Sequence, residues 1–185
     1  MTAYIHPTAL VNPGFVPAPF TIIDEGAAIF ADVRIGSFVR VRAGARVHER
    51  CAIGDHVTIG AGVELHDDVV VSDFAFVGKD PVCGCSDGVD GALAGVSVGA
   101  ESVVGSHVVI ESGTVLGQRC VVGDGAGIAS GCIVGEDVVI ERGVILEQGV
   151  AVGRGATVGA GSVIGAGARI AEGDVVAPST VFAAS

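Results

Sequence analysis

The sequence predicts an all-β solenoid, a parallel β-helix, and three observations carry that prediction. First, an apolar residue recurs at every sixth position from Ile5 to Val77, with Pro17 the only break. The ladder resumes at Val98 and continues every sixth residue to Val176. A period of six fits neither a 3.6-residue helix nor a simple alternating strand, but it matches a solenoid whose repeat is one short strand and one turn.

Second, the residue four places after each ladder position is small or β-branched. Examples are Ala27, Val39, Ala45, Cys51, Val57, Ser102, Thr114, Cys120, Cys132 and Ala156, with Phe15 and Asp174 as the exceptions. A bulky and a smaller residue therefore alternate toward a narrow interior. Third, glycine often follows the ladder residue, as at Gly36, Gly54, Gly60, Gly105, Gly117 and Gly123, where a corner has no room for a Cβ. Composition agrees: half of the 185 residues are hydrophobic, but only 4% are aromatic and none is Trp, which suits a thin prism of Val, Ile and Ala. Residues 1–185 are expected to form one domain.

Between Val77 and Val98 the ladder stops for 21 residues, three more than three hexads. Residues 78–97 are rich in Gly and Asp, lack any period, and are expected to project as a loop, with Lys79 and Asp80 at its base. Long insertions on compact scaffolds are disproportionately functional, so the loop is expected to act as a lid or an acceptor-binding element. Of the five cysteines, Cys51, Cys120 and Cys132 occupy the small inward position and read as core thiols. Cys83 and Cys85 lie in the loop, and a Cys-x-Cys pair alone is too few ligands for structural zinc.

A formal charge of -11 argues against a nucleic-acid surface. Positive charge is nonetheless concentrated, since Arg34, Arg40, Arg42, Arg46 and Arg50 supply half of the ten basic residues. Apolar stretches are short and broken by glycine, and the N-terminus lacks the basic and apolar segments of a signal peptide, so the expected location is the cytoplasm.

The units Ile53-Gly54-Asp55-His56-Val57-Thr58 and Ile59-Gly60-Ala61-Gly62-Val63-Glu64 resemble those of the hexapeptide-repeat acyltransferases. The resemblance covers nearly the whole chain. It implies a left-handed β-helix with three hexads per eighteen-residue coil, a homotrimer with active sites between subunits, and acetyl-CoA or another acyl-CoA as co-substrate. The opening Ile5-His6-Pro7-Thr8-Ala9-Leu10-Val11 is similar to members that acylate amino groups of nucleotide-linked sugars. The expected acceptor is accordingly an amine or hydroxyl of a small molecule, either such a sugar or a specialised metabolite. No nucleic-acid or membrane partner is expected.

Acyl transfer needs a general base, which near neutral pH is usually histidine. His66 leads, because it lies in the coil below the loop and is followed by Asp67 and Asp68, either of which can orient its ring. His56, after Asp55, is the runner-up, and His107 follows the loop. Asp67, Lys79 and Asp80 are the expected substrate contacts, and Arg154 and Arg169 on late coils are the expected contacts to a CoA phosphate. With an eighteen-residue coil, His48 and His66 stack about 4.8 Å apart, the spacing of neighbouring strands.

That pair also resembles the metal-binding stretch of γ-class carbonic anhydrases, which bind zinc through three histidines across a trimer interface. Two histidines match, but Ala61 stands at the third position, and Arg42-Ala43 replaces the Gln-Asp pair before the first. A divergent metalloprotein using His48 and His66 is one alternative function, and a non-catalytic β-helix scaffold is the other.

Overall fold

Each hexad folds as a two-residue strand, an outward residue followed by the inward ladder residue, and then turns through a corner. The computed structural model describes residues 2–80 and 95–182. Its strands form three parallel sheets of ten, nine and eight strands, and successive strands of one sheet come from successive coils. Register is eighteen residues, as in Tyr4↔Ile22 and Arg46↔Glu64. The chain is a left-handed parallel β-helix, as expected. We number the faces in chain order: the first holds Thr58–Ile59, the second Glu64–Leu65 and the third Val70–Val71. Among the described residues no helix is long and apolar enough to cross a membrane.

Two irregularities have simple causes. Pro17 forms no strand, and the third sheet begins only at Arg34–Ile35, because proline cannot donate to a ladder. The interruption after Val77 does not displace the count of faces. Val77 lies on the first face and Val98 on the second, so they are neighbouring ladder positions, and 21 residues instead of six leave fifteen inserted at one corner. The first strand there extends over Phe76–Lys79, with Lys79 paired to Glu111, so the insertion leaves the stack at Asp80 and rejoins at Gly95. Glu64 then pairs with Ser97 as if nothing intervened. Residues 81–94, including Cys83 and Cys85, lie outside the described residues.

The interior is a column of ladder residues such as Ile59, Leu65, Ile110, Leu146 and Ile164, all inaccessible to solvent. The small inward positions supply something that size alone does not. Where they carry a hydroxyl or thiol, that group donates to a corner carbonyl fifteen residues on: Thr21 to Gly36, Cys51 to His66, Ser102 to Gly117, Thr114 to Ala129, Cys120 to Gly135 and Ser162 to Ala177. A buried polar group is costly unless bonded, and here each finds an acceptor in the next coil. The oversized Phe15 and Asp174 sit in the end coils, where they are not fully enclosed.

Glycine after the ladder residue reflects close approach of the next coil. A Cβ on Gly117 would lie 2.7 Å from the Glu136 nitrogen, and one on Gly105 would lie 2.6 Å from an Asp124 oxygen. Beyond the first two corners of the chain, the regular corners also place one residue in the left-handed region. Glycine fills that place along the first corner, from Gly26 to Gly167. At the corner between the third and first faces, Phe20, Phe38, His56, Phe74 and His107 adopt it, at φ of 57–62°. That conformation costs a non-glycine residue about 1–2 kcal/mol. The rings recover it by stacking on one another, with centroids 4.4–5.0 Å apart, at about 0.5–1.5 kcal/mol per pair. Replacing Phe38 by alanine removes two stacking contacts and keeps the backbone penalty, whereas glycine removes both. Phe38→Ala is therefore expected to be about 1 kcal/mol less stable than Phe38→Gly in urea unfolding, and equal stability would show that the corner carries no such penalty.

Candidate functional site

The second face gathers the polar chemistry. Its outward strand positions run Leu10, Ala28, Arg46, Glu64 and Ser97 in consecutive register. Two residues after each of the middle positions, at the start of the next corner, stand Phe30, His48 and His66. Their rings stack, Phe30 on His48 at 4.7 Å and His48 on His66 at 5.4 Å. The eighteen-residue repeat forces this, since like positions lie over one another. Each imidazole reaches across to the outward residue of the following coil: His48 Nε2 lies 3.0 Å from Glu64 Oε1, and His66 Nε2 lies 3.4 Å from Ser97 Oγ. Both histidines are half-buried. From beneath, the Cys51 thiol donates to the His66 carbonyl at 3.0 Å.

The aspartates expected to orient His66 are occupied elsewhere. Asp68 accepts from Arg50 Nε and Nη2, at 2.9 and 2.8 Å, and Asp67 accepts the Glu49 amide at 3.2 Å and meets Arg50 at 3.7 Å. The Arg50 hydrogen bonds hold the Asp68 carboxyl below its ordinary range. Arg119 does the same for Asp137 one stretch further along this corner. His56 is also placed differently from the expectation: Asp55 accepts the Ser37 amide at 2.7 Å, and the His56 ring lies between Phe38 and Phe74 on another corner. His107 ends that same stack.

Lys79 and Asp80 stand at the corner between the first and second faces, across the second face from His66. Asp80 comes within 4.0 Å of Arg42. Arg154 pairs with Asp137 at 3.4 Å, four rungs beyond Asp67, or about 19 Å at the usual strand spacing. Arg169 projects, exposed, from the last strand of the second face. Sequence reasoning overlooked Glu64 and Ser97. Both were readable as the residues before a ladder position in the coil after each histidine, once the insertion is recognised as leaving the faces in step.

Parallel rings direct their lone pairs side by side rather than toward one point, whereas zinc needs nitrogens converging at about 2.0–2.1 Å. Among the described residues no three His, Cys, Asp or Glu side chains are grouped to hold a metal.

Residues 32–67 and 113–148 match the family model described as bacterial transferase hexapeptide (six repeats), and residues 145–166 match that of the hexapeptide repeat of succinyl-transferase. The chain thus carries hexapeptide repeats of the kind these two models describe. Comparison with curated protein sequences gave no match. Among solved structures, the UDP-N-acetylglucosamine O-acyltransferase of Moraxella catarrhalis is 21% identical with a TM-score of 0.76, over 96% of this chain and 66% of that one. The UDP-N-acetylglucosamine acyltransferase of Bacteroides fragilis is 21% identical with a TM-score of 0.77, over 88% of this chain and 65% of that one. The corresponding structure from Acinetobacter baumannii has a TM-score of 0.62 at 21% identity, over 95% of this chain and 65% of that one. Likeness at that identity is likeness of fold, and the chain spans just under two thirds of the length of these structures.

Burial pushes the Cys51 thiol up to about 11, and Cys120 and Cys132 are raised for the same reason. A raised thiol pKa favours the folded state fully below the unfolded value and loses that contribution as pH rises through the folded one. Stability is expected to fall between about pH 9 and 11. The fall should be shallower in Cys51→Ser, which keeps a donor toward the His66 carbonyl but has no ionisable group there. Thermal melts across that range check this, and identical slopes for the two proteins would contradict it.

Proposed function

We propose that the chain transfers an acyl group from acyl-CoA to an amine or hydroxyl of a small molecule, with His66 as the general base. The observation that carries this reading is the pair of stacked imidazoles on a rigid sheet, with Glu64 fixing His48 and His48 in turn fixing the plane of His66. The family match and the acyltransferases of the same fold support the reaction class.

Among the described residues His66 Nε2 makes only the weak contact to Ser97 Oγ at 3.4 Å, a place that a substrate hydroxyl or amine can take. In the reaction the acceptor nitrogen or oxygen attacks the thioester carbonyl carbon while His66 Nε2 receives its proton. The new C–N or C–O bond forms, the C–S bond breaks, and the proton passes to the departing CoA thiolate. His48 is a positioning residue. Arg169, with Arg154 where it can leave Asp137, is suited to a CoA phosphate at the far end of the second face. Asp67, Lys79 and Asp80 border the site as acceptor contacts.

Assembly as a homotrimer is part of the same reading. The outward row Val70, Val103 and Val121 on the third face is about 40% exposed and continuous, more apolar surface than a lone chain usually leaves in water. A shared interface would cover it.

His66→Ala is expected to lower turnover by roughly 10²–10⁴-fold. His48→Ala and Glu64→Gln should lower it less, because they loosen the base without removing it. Release of CoA thiol with acetyl-CoA and a panel of amines reads the rates. A His66→Ala enzyme as active as wild type would rule out the assignment.

A further inference from the structure

Toward the N-terminus, the histidine row of the second face adjoins an apolar pocket. It has a volume of about 290 Å³ and is lined by Leu10, Val11, Asn12, Ala28, Ile29 and Phe30. Ala28 points outward yet is only 7% exposed, while Leu10 at 71% and Phe30 at 40% stand up as its walls. Large apolar side chains held in water around a sheltered floor are a binding surface rather than a packing accident. The next rung is Arg46, in register with Ala28 on one side and Glu64 on the other.

Arg46 is exposed, and among the described residues no carboxylate comes within ion-pair distance of it. Its neighbour Glu64 is taken by His48 at 3.0 Å. In a chain of net charge -11 this places a cation with no carboxylate partner among the described residues between an apolar pocket and two imidazoles. We infer that the acceptor is an amphiphilic carboxylate: an apolar group over Ala28 between Leu10 and Phe30, a carboxylate on Arg46, and the reacting amine or hydroxyl at His66.

Spacing supports a compact ligand. Ala28, Arg46 and Glu64 occupy successive rungs about 4.8 Å apart, with His48 in the Arg46 coil and His66 in the Glu64 coil, so the pocket floor and His66 lie about 10 Å apart with the guanidinium between them. A single arginine beside the Glu64 carboxylate balances one negative charge and would leave a dianionic phosphate under-compensated. The inference rests on the transferase reading only for the role of the ligand as acceptor. Binding can be read without turnover.

The probes are L-phenylalanine, its amide and L-alanine, which share an amine and differ in the carboxylate or the apolar group. Calorimetry on the full chain is expected to show phenylalanine binding at least tenfold more tightly than either of the other two. Arg46→Gln should reduce the preference for phenylalanine over its amide to less than threefold, and Ala28→Leu, which fills the pocket floor, should do the same for phenylalanine over alanine. Absence of phenylalanine binding, equal affinity for the three compounds in the wild-type protein, or unchanged preferences in folded variants would each overturn the inference. Phenylalanine binding with the expected preferences but no CoA release would uphold this site and count against the transferase reading alone.

Discussion

The structure depends on one constraint: parallel strands stacked at an eighteen-residue register place every side chain over its own counterpart in the next coil. Like meets like along each row. In the interior this gives a column of Ile, Leu and Val. At one corner it gives a stack of phenylalanine and histidine rings in the left-handed conformation, and at another it gives a row of acids and arginines in which Arg50 pairs with Asp68 and Arg119 with Asp137. Where neighbours in a row attract, the row is reinforced. Aromatic stacking and ion pairing along the rows thereby offset the backbone cost of non-glycine corners.

The candidate site is a product of the same rule. A histidine at one coil position followed eighteen residues later by another gives two parallel rings, and the outward residues of the following coils meet those rings edge-on. Glu64 and Ser97 become partners of His48 and His66 because a rung separates them in space, although 16 and 31 residues separate them along the chain. The carboxylates nearest in sequence, Asp55, Asp67 and Asp68, are drawn instead to backbone amides and arginines of the adjoining coil. In a solenoid, nearness along the chain is a poor guide to who bonds whom.

The uneven charge of the chain also gains meaning in three dimensions. Arg34, Arg40 and Arg46 are the outward strand residues of three successive faces, so a linear cluster becomes a belt around the prism. Arg40 is neutralised by Asp24, Arg42 faces Asp80 and Arg50 serves its corner. Only the member on the second face stands beside both an apolar pocket and the imidazoles. Its surroundings give that arginine a different use from the others.

The ladder of six, the small inward residues and the glycines determined the β-helix, its single core and the burial of Cys51, Cys120 and Cys132, because those features are local and repeat faithfully. The stacking of His48 on His66 followed as soon as the coil length was known. Partner choice did not. Whether Asp68 orients a histidine or clamps Arg50, whether His56 is a base or one ring of a stack, and whether the break after Val77 disturbs the faces all depend on how the coils superpose. A hexad pattern states which side chains point inward. Only superposed coils decide which outward side chains touch, since those contacts run across the repeat rather than along it.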